Sequence, residues 1–396
     1  MNASPVVATW FRLLPHLVAG LFFGRVRLRG GGQIPASGPV LLIARHRNGA
    51  ADGYAYAAAL PRAATFMVAA QLRRHAIARL LVTGIDVVRD KDGGDRSMNR
   101  QAIIASVEHL AADGAVFVFP EGTSTLGERH LPFKTGAAQV ASAFLSLHRA
   151  LTVVPLSIDY DAPTALGTDV EVSVGTRLRL LGMLDVGEIQ QRFTAALEAT
   201  GREFDDSATQ RTAEALAALA ADAGCSYAQS LDRFAREIPK DLRERAARLE
   251  DLAAAPGVLR FRGRAVFARR AALLRVLLGA AGLAVAAAGI LANIPPVMAG
   301  WLAARRRADG ANEVMAWRIF AGLPLVIGWT ALVVAGAVAM LQPMAAAIYL
   351  GVTAAAARLH APARRAFASG LNALLHPRLS PLYAGAQDAV LHHLGR

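Results

Sequence analysis

Apolar residues follow two rhythms along this chain, and then a third of a different kind. Over residues 25–182, short apolar runs recur between polar and amphipathic stretches. Arg25–Arg29, Val40–Ala44, Ala64–Val68, Ile85–Arg89, Ala115–Phe119 and Val153–Tyr160 have the length of strands. Val170–Leu180, read as VEVSVGTRLRL, adds the two-residue alternation of a half-buried strand. Ala51–Leu60, Arg73–Leu81, Arg96–Ala112 and Gly136–Ala150 lie between them and carry helix formers. The alternation predicts an α/β domain, a central sheet with helices on its faces. Ahead of it, residues 1–24 place Trp10, Phe11, Leu14, Leu17, Leu21 and Phe22 at helical spacing, with Arg12 and His16 interrupting and Pro15 kinking the run. That pattern predicts a helix lying in a membrane interface, with a core helix of the following domain as the alternative.

The pattern changes after residue 182. Residues 183–258 are polar and rich in helix formers, and read as a solvated helical extension, a lid or spacer. Residues 259–396 read as a membrane-associated helical region. Its apolar stretches are 272–292, 319–340 and 343–357. About 20 residues are needed to cross a bilayer. The second stretch is long enough, and the third is short but pairs with it through Gln342-Pro343. The first ends in Asn293-Ile294-Pro295-Pro296, which must break a helix. Arginine clusters precede the first stretch, follow it, and follow the third. If basic residues stay on one side, residues 319–357 cross twice, and 272–292 re-enters or lies on the surface with its break at the turning point.

Composition narrows the partners. The chain has 396 residues, 54% of them hydrophobic, and a net charge of +13. Such a balance favours anionic partners: phospholipid headgroups, acidic carrier proteins or nucleic acid. Aromatic residues are few and no nucleic-acid motif appears, so no nucleic-acid partner is expected. The one cysteine, Cys225, excludes an intramolecular disulfide framework and a thiolate metal site, and no metal is expected. The N-terminus lacks the basic start and small-residue cleavage site of a secretory signal, so it is expected to be retained.

Two stretches carry chemistry. ARHRNGAADG follows a strand and precedes a helix, which puts His46 at a strand's C-terminal end, where open α/β sheets bind ligands. An imidazole there can take a proton from an alcohol, and Asp52 can fix its tautomer. Alternatively Asp52 only complements the dipole of the next helix. In FPEGTSTLGERHLPFKTG, Gly122 lets the backbone approach a ligand, and Thr123 and Ser124 can donate to phosphate oxygens. Lys134 beside a helix start suits an anion.

Taken together, His46-(x)5-Asp52, then Phe119-Pro-Glu-Gly-Thr-Ser124, then Val154-Pro155 resemble the glycerolipid acyltransferase family. The resemblance covers roughly residues 25–180. It implies that His46 is the base that deprotonates an acceptor hydroxyl and that Asp52 orients it. It implies that Glu121 and Gly122 belong to the acceptor site, with Thr123 and Ser124 adjacent, and that Pro155 shapes the acyl-donor pocket. The implied partners are membrane lipid and acyl-CoA or acyl carrier protein as co-substrate, with no other cofactor. The implied setting is a bacterial inner membrane with the catalytic domain cytoplasmic. Two departures stand out. The commoner spacing is His-(x)4-Asp, so the extra residue predicts a bulged turn at Asn48-Gly49 that returns Asp52 to the imidazole. The family's acceptor arginine follows a glycine by six residues, whereas here Arg89 comes one position early and Arg96 lies further on.

Overall fold

The computed structural model describes residues 5–74, 76–88 and 97–396. Helix α1 (Pro5–Phe22) runs directly into β1 (Phe23–Arg29). The α/β alternation follows as β2 (Val40–Ala44), α2 (Ala50–Ala59), β3 (Thr65–Ala69), α3 (Ala76–Leu81), β4 (Ile85–Val87), α4 (Ser97–Ala111), β5 (Ala115–Val118), α5 (Gly136–Leu145), β6 (Ala150–Tyr160), β7 (Thr168–Val174), β8 (Leu178–Leu181) and α6 (Val186–Thr200). The expected end of the fourth strand at Arg89 and the expected helix start at Arg96 lie outside the described residues.

The strands form one sheet in the order β1-β7-β6-β2-β5-β3-β4, with β8 also on β6. Strands β6, β2, β5, β3 and β4 run parallel, and β7 and β8 run antiparallel to β6. The sheet is the predicted central sheet flanked by helices. Successive side chains of a strand face opposite ways, and here both faces are covered. Leu42, Ala44, Phe117 and Leu156 pack beneath α1 and α2. Leu41, Ile43, Val116 and Val153 pack beneath α4, α5 and α6.

The run Val170–Leu180 is two strands rather than one. Leu156 pairs with Val174 and Val153 with Leu178, so the chain opposite β6 holds one residue more than β6 does across the gap. That is a β-bulge. Gly175 sits at it and donates its N–H to Pro155 O at 2.9 Å. A Cβ at Gly175 would collide with Thr200.

Beyond the sheet the expected boundaries shift. Helix α6 covers the sheet. Helices α7 (Ser207–Asp222), α8 (Tyr227–Arg236) and α9 (Lys240–Ala254) are no mere spacer: they enclose a core of their own, with Leu216, Leu231, Phe234 and Leu242 buried. After the small hairpin β9 (Arg260–Phe261) and β10 (Arg264–Ala265) come α10 (Ala272–Ala292), α11 (Ile294–Arg307), α12 (Val314–Ala339), α13 (Pro343–Leu375) and α14 (Ser380–His393). Helix α14 returns to the α7–α9 core through Tyr383, Ala386 and Val390, outside the apolar helices it was grouped with. Helix α12 differs most from expectation. Its Met315, Ile319 and Leu323 are fully buried in the same core as Leu14, Val18 and Phe22 of α1. The stretch 319–340 therefore begins inside the α/β domain.

Among the described residues, four helices are long and apolar enough to cross a membrane: α1, α10, α12 with the turn before it, and α13. Helices α10 and α13 pack antiparallel with glycines of α10 at the seam, Gly279, Gly282 and Gly289 against Phe367, Ala363 and Ala356.

Candidate active site

Adjacent parallel strands β2 and β5 send their chains to opposite faces of the sheet, β2 into α2 and β5 towards α5. A crevice opens at their C-terminal ends, the place where such sheets bind ligands. His46 lies just past β2 and Glu121 just past β5. The extra residue between His46 and Asp52 is absorbed at Gly49, which caps α2 with φ 52 and ψ −146. That backbone conformation suits glycine, and the turn falls where the spacing predicted it.

The turn brings Asp52 into a fully buried position in the first turn of α2. Its Oδ2 lies 2.9 Å from His46 Nδ1 and accepts the backbone N–H groups of Arg47 at 2.5 Å and Asn48 at 2.8 Å. Its Oδ1 accepts the hydroxyl of Tyr160 at 2.6 Å. Burial and the neighbouring Asp52 push the Tyr160 phenol well above its ordinary range, so it stays a donor. The His46 ring stacks on Phe119 with centroids 4.1 Å apart. Its backbone is held too: His46 N donates to Glu121 Oε1 at 3.0 Å, and His46 O accepts from Thr125 N at 3.0 Å. With Nδ1 committed to Asp52, Nε2 is the ring nitrogen left for a ligand.

His46 lines a cavity of about 650 Å³, the size of a ligand pocket. Gly122, Lys134 and Gly136 line it as well, and apolar side chains make most of its wall, including Tyr54, Phe66, Leu81 and, from α1, Phe11 and Leu14. Gly122 has φ 67, and a Cβ there would press on the Lys134 side chain at 3.3 Å. Among the described residues, His46 is the one histidine in this wall. Another histidine of the domain, His130, is held down to about 3 by burial and by Arg45 and Arg47, and so is neutral.

Residues 25–159 match the family model described as Acyltransferase. These residues form an acyltransferase domain. The match runs from β1 nearly to the end of β6, and contains both loops of the crevice. A search of the curated proteins finds no match. Among solved structures the chain is similar to the 1-acyl-sn-glycerophosphate acyltransferase of Thermotoga maritima, at 18% identity and a TM-score of 0.34, over 49% of this chain and 79% of that one.

Not every expected residue of the acyltransferase site reaches the cavity. His46, Gly122 and Lys134 line it, and Asp52 stands behind His46. Glu121, expected to touch the acceptor, is buried and turned inward. Its two carboxylate oxygens accept the backbone N–H groups of His46 and Leu131, so it ties the two loops together. Ser124 is taken by the far end of the chain: Asn312 Nδ2 donates to Ser124 Oγ at 2.7 Å and to Ser124 O at 3.0 Å. Neither Thr123 nor Ser124 is among the cavity's lining residues. Pro155, expected to shape the donor pocket, is on the opposite face of the sheet from His46. It is the odd member of β6, beside Val153, and its ring meets Gly175. Arg89 and Arg96 lie outside the described residues. The sequence reading missed Tyr160 and Asn312, whose partners are 108 and 188 residues away and leave no local signature.

Proposed function

We propose that the chain is a membrane-bound glycerolipid O-acyltransferase. It transfers a fatty acyl group from acyl-CoA or acyl carrier protein to a phosphorylated glycerol acceptor, 1-acyl-glycerol-3-phosphate, in phospholipid biosynthesis. It works at the cytoplasmic face of a bacterial inner membrane. The observation that carries this reading is an imidazole oriented by a buried carboxylate at the wall of a largely apolar cavity. The apolar wall suits an acyl chain, and Lys134 in the same wall suits a phosphate. The basic surface suits anionic lipid and an acidic carrier alike.

In this mechanism His46 Nε2 takes the proton of the acceptor hydroxyl as its oxygen attacks the thioester carbonyl. Asp52 holds the tautomer and faces the imidazolium that forms. Collapse of the tetrahedral intermediate breaks the C–S bond, and the proton passes from His46 to the departing thiolate. The products are an ester and a free thiol, with no acyl-enzyme. Free thiol release from acyl-CoA by membranes carrying the protein is the test. It is expected to depend on added 1-acyl-glycerol-3-phosphate, more than on glycerol-3-phosphate, and to fall at least 100-fold in His46→Ala with membrane association intact. Acceptor-dependent release surviving in that variant would remove His46 from the mechanism.

A further inference from the structure

The apolar helices beyond residue 271 lie outside the segment that matches the family, and their reach can be measured against a bilayer. We infer that two helical hairpins of unequal depth insert from one face and that neither crosses; the register of α10 on α13 puts the entry of α10 at about residue 287, level with Arg358. The inference rests on the membrane-bound reading above.

The deeper hairpin is α12 with α13. No charged residue stands between Arg318 and Arg358. The first part of α12 is docked on the α/β core through Met315, Ile319 and Leu323. What projects beyond, Pro324–Ala339, is about 24 Å long at 1.5 Å per residue. The returning arm from Pro343 reaches Arg358 after about 22 Å. A guanidinium nitrogen of Arg358 packs against Gly20 of α1, on the domain side. The hydrocarbon core of a bilayer is about 30 Å thick, and the shorter arm sets the reach of a hairpin. The tip has the composition of an immersed one. Met340, Leu341 and Met344 are 74%, 89% and 72% exposed, and the turn offers Gln342 as its polar side chain. A turn emerging into water on the far face would bring those apolar side chains out with it.

The shallower hairpin is α10 with α11, broken at Asn293. A helix break in hydrocarbon requires its freed polar groups to find partners within the protein. They do so here. Asn293 is buried, and its Nδ2 donates to Gly289 O at 2.9 Å and Thr353 Oγ1 at 3.0 Å. Tyr349 donates its hydroxyl to Asn293 Oδ1 at 2.7 Å, and Trp329 Nε1 donates to Ala292 O at 2.8 Å. These contacts set the Asn293 turn level with the middle of the deeper hairpin. The arginines Arg305, Arg306 and Arg307 end α11, and the loop after them carries Asn312 to Ser124. The segment between the hairpins is therefore on the catalytic side.

The test uses the full chain with its one cysteine replaced (Cys225→Ser) and a single new cysteine at the tip, Leu341→Cys. A control places it at the exposed Met183→Cys in the α/β domain. Both are treated with a membrane-impermeant maleimide in intact cells, in opened membranes, and after detergent. Leu341→Cys is expected to label only after detergent, whereas Met183→Cys labels before it, from one face. Labelling of Leu341→Cys from the face opposite Met183→Cys shows a crossing and overturns the inference. Labelling before detergent from the same face shows a hairpin outside the bilayer and also overturns it. A chain recovered in the soluble fraction removes the membrane-bound reading itself, a result distinct from both.

Discussion

Asp52 is the residue on which the site turns, because four donors converge on one buried carboxylate. Three of them come from the loop that precedes its helix. The fourth, Tyr160, comes across the sheet from the end of β6 and fixes the carboxylate's other oxygen. A hydrogen bond to a charged group contributes about 1.5–3 kcal/mol. Removing this one lets the carboxylate rotate away from the imidazole, an effect felt in the transition state where the imidazolium forms. Tyr160→Phe is expected to lower kcat roughly 10-fold, leave KM within about twofold, and lower the melting temperature by a few degrees, since a buried carboxylate oxygen loses its donor while the ring still fills its place beside Phe23. Steady-state kinetics with a melting curve on the same preparation checks it. The His46–Asp52 pair was legible in the sequence because its geometry is local: a strand end, a glycine, a helix start. Glu121 was not. A carboxylate beside a glycine reads as a ligand for substrate, and only the fold shows two backbone N–H groups already aimed at it.

At the scale of elements, two insertions of one residue had opposite fates in the reading. The extra residue before Asp52 announced a turn, because the pair it separates has a known job. The structure puts that turn at Gly49, with Asn312 O about 3.0 Å from where a Cβ would stand. Gly49→Ala combines backbone strain of roughly 1–3 kcal/mol with that clash. It is expected to cut activity at least 10-fold while Ala50→Ser, one position on, keeps it; parallel assays of the two variants decide. The extra residue at Gly175 left no trace, and the reason is instructive. The alternation of VEVSVGTRLRL stays in phase through it, with apolar residues at even positions on both sides. Yet Val170 and Val172 serve the core under α1 and α2, whereas Leu180 serves the core under α5 and α6. Both faces of the sheet are buried, so hydrophobic pattern alone does not say which face a residue serves. The bulge swaps faces without disturbing the pattern.

The whole molecule is less divisible than its sequence. Composition marks a break near residue 259, and the break is real for α10 and α13, but α12 straddles it. Its apolar run reads as one helix bound for lipid. Only packing reveals that Met315, Ile319 and Leu323 complete the core begun by α1. A chain ending at residue 258 keeps every motif residue and loses those three buried side chains. At about 2–5 kcal/mol for each large buried side chain truncated, against a total stability of about 5–15 kcal/mol, that fragment is expected to aggregate. Size-exclusion chromatography of the fragment beside the full chain in detergent is the check. The same shared core orders events during synthesis. Leu14 and Ile319 are separated by about 300 residues, and translation at about 5–20 residues per second spaces their emergence by tens of seconds. Throughout that interval the inner stripe of α1 has the sheet and α2 to pack on but lacks α12, while Val6 and Leu13 on its outer stripe stay exposed. Asn312, which clasps the Ser124 loop, emerges in the same late stretch. The core beside α1 and the clasp on the catalytic crevice are thus completed by one late segment, and a chain stalled before α12 is expected to lack both.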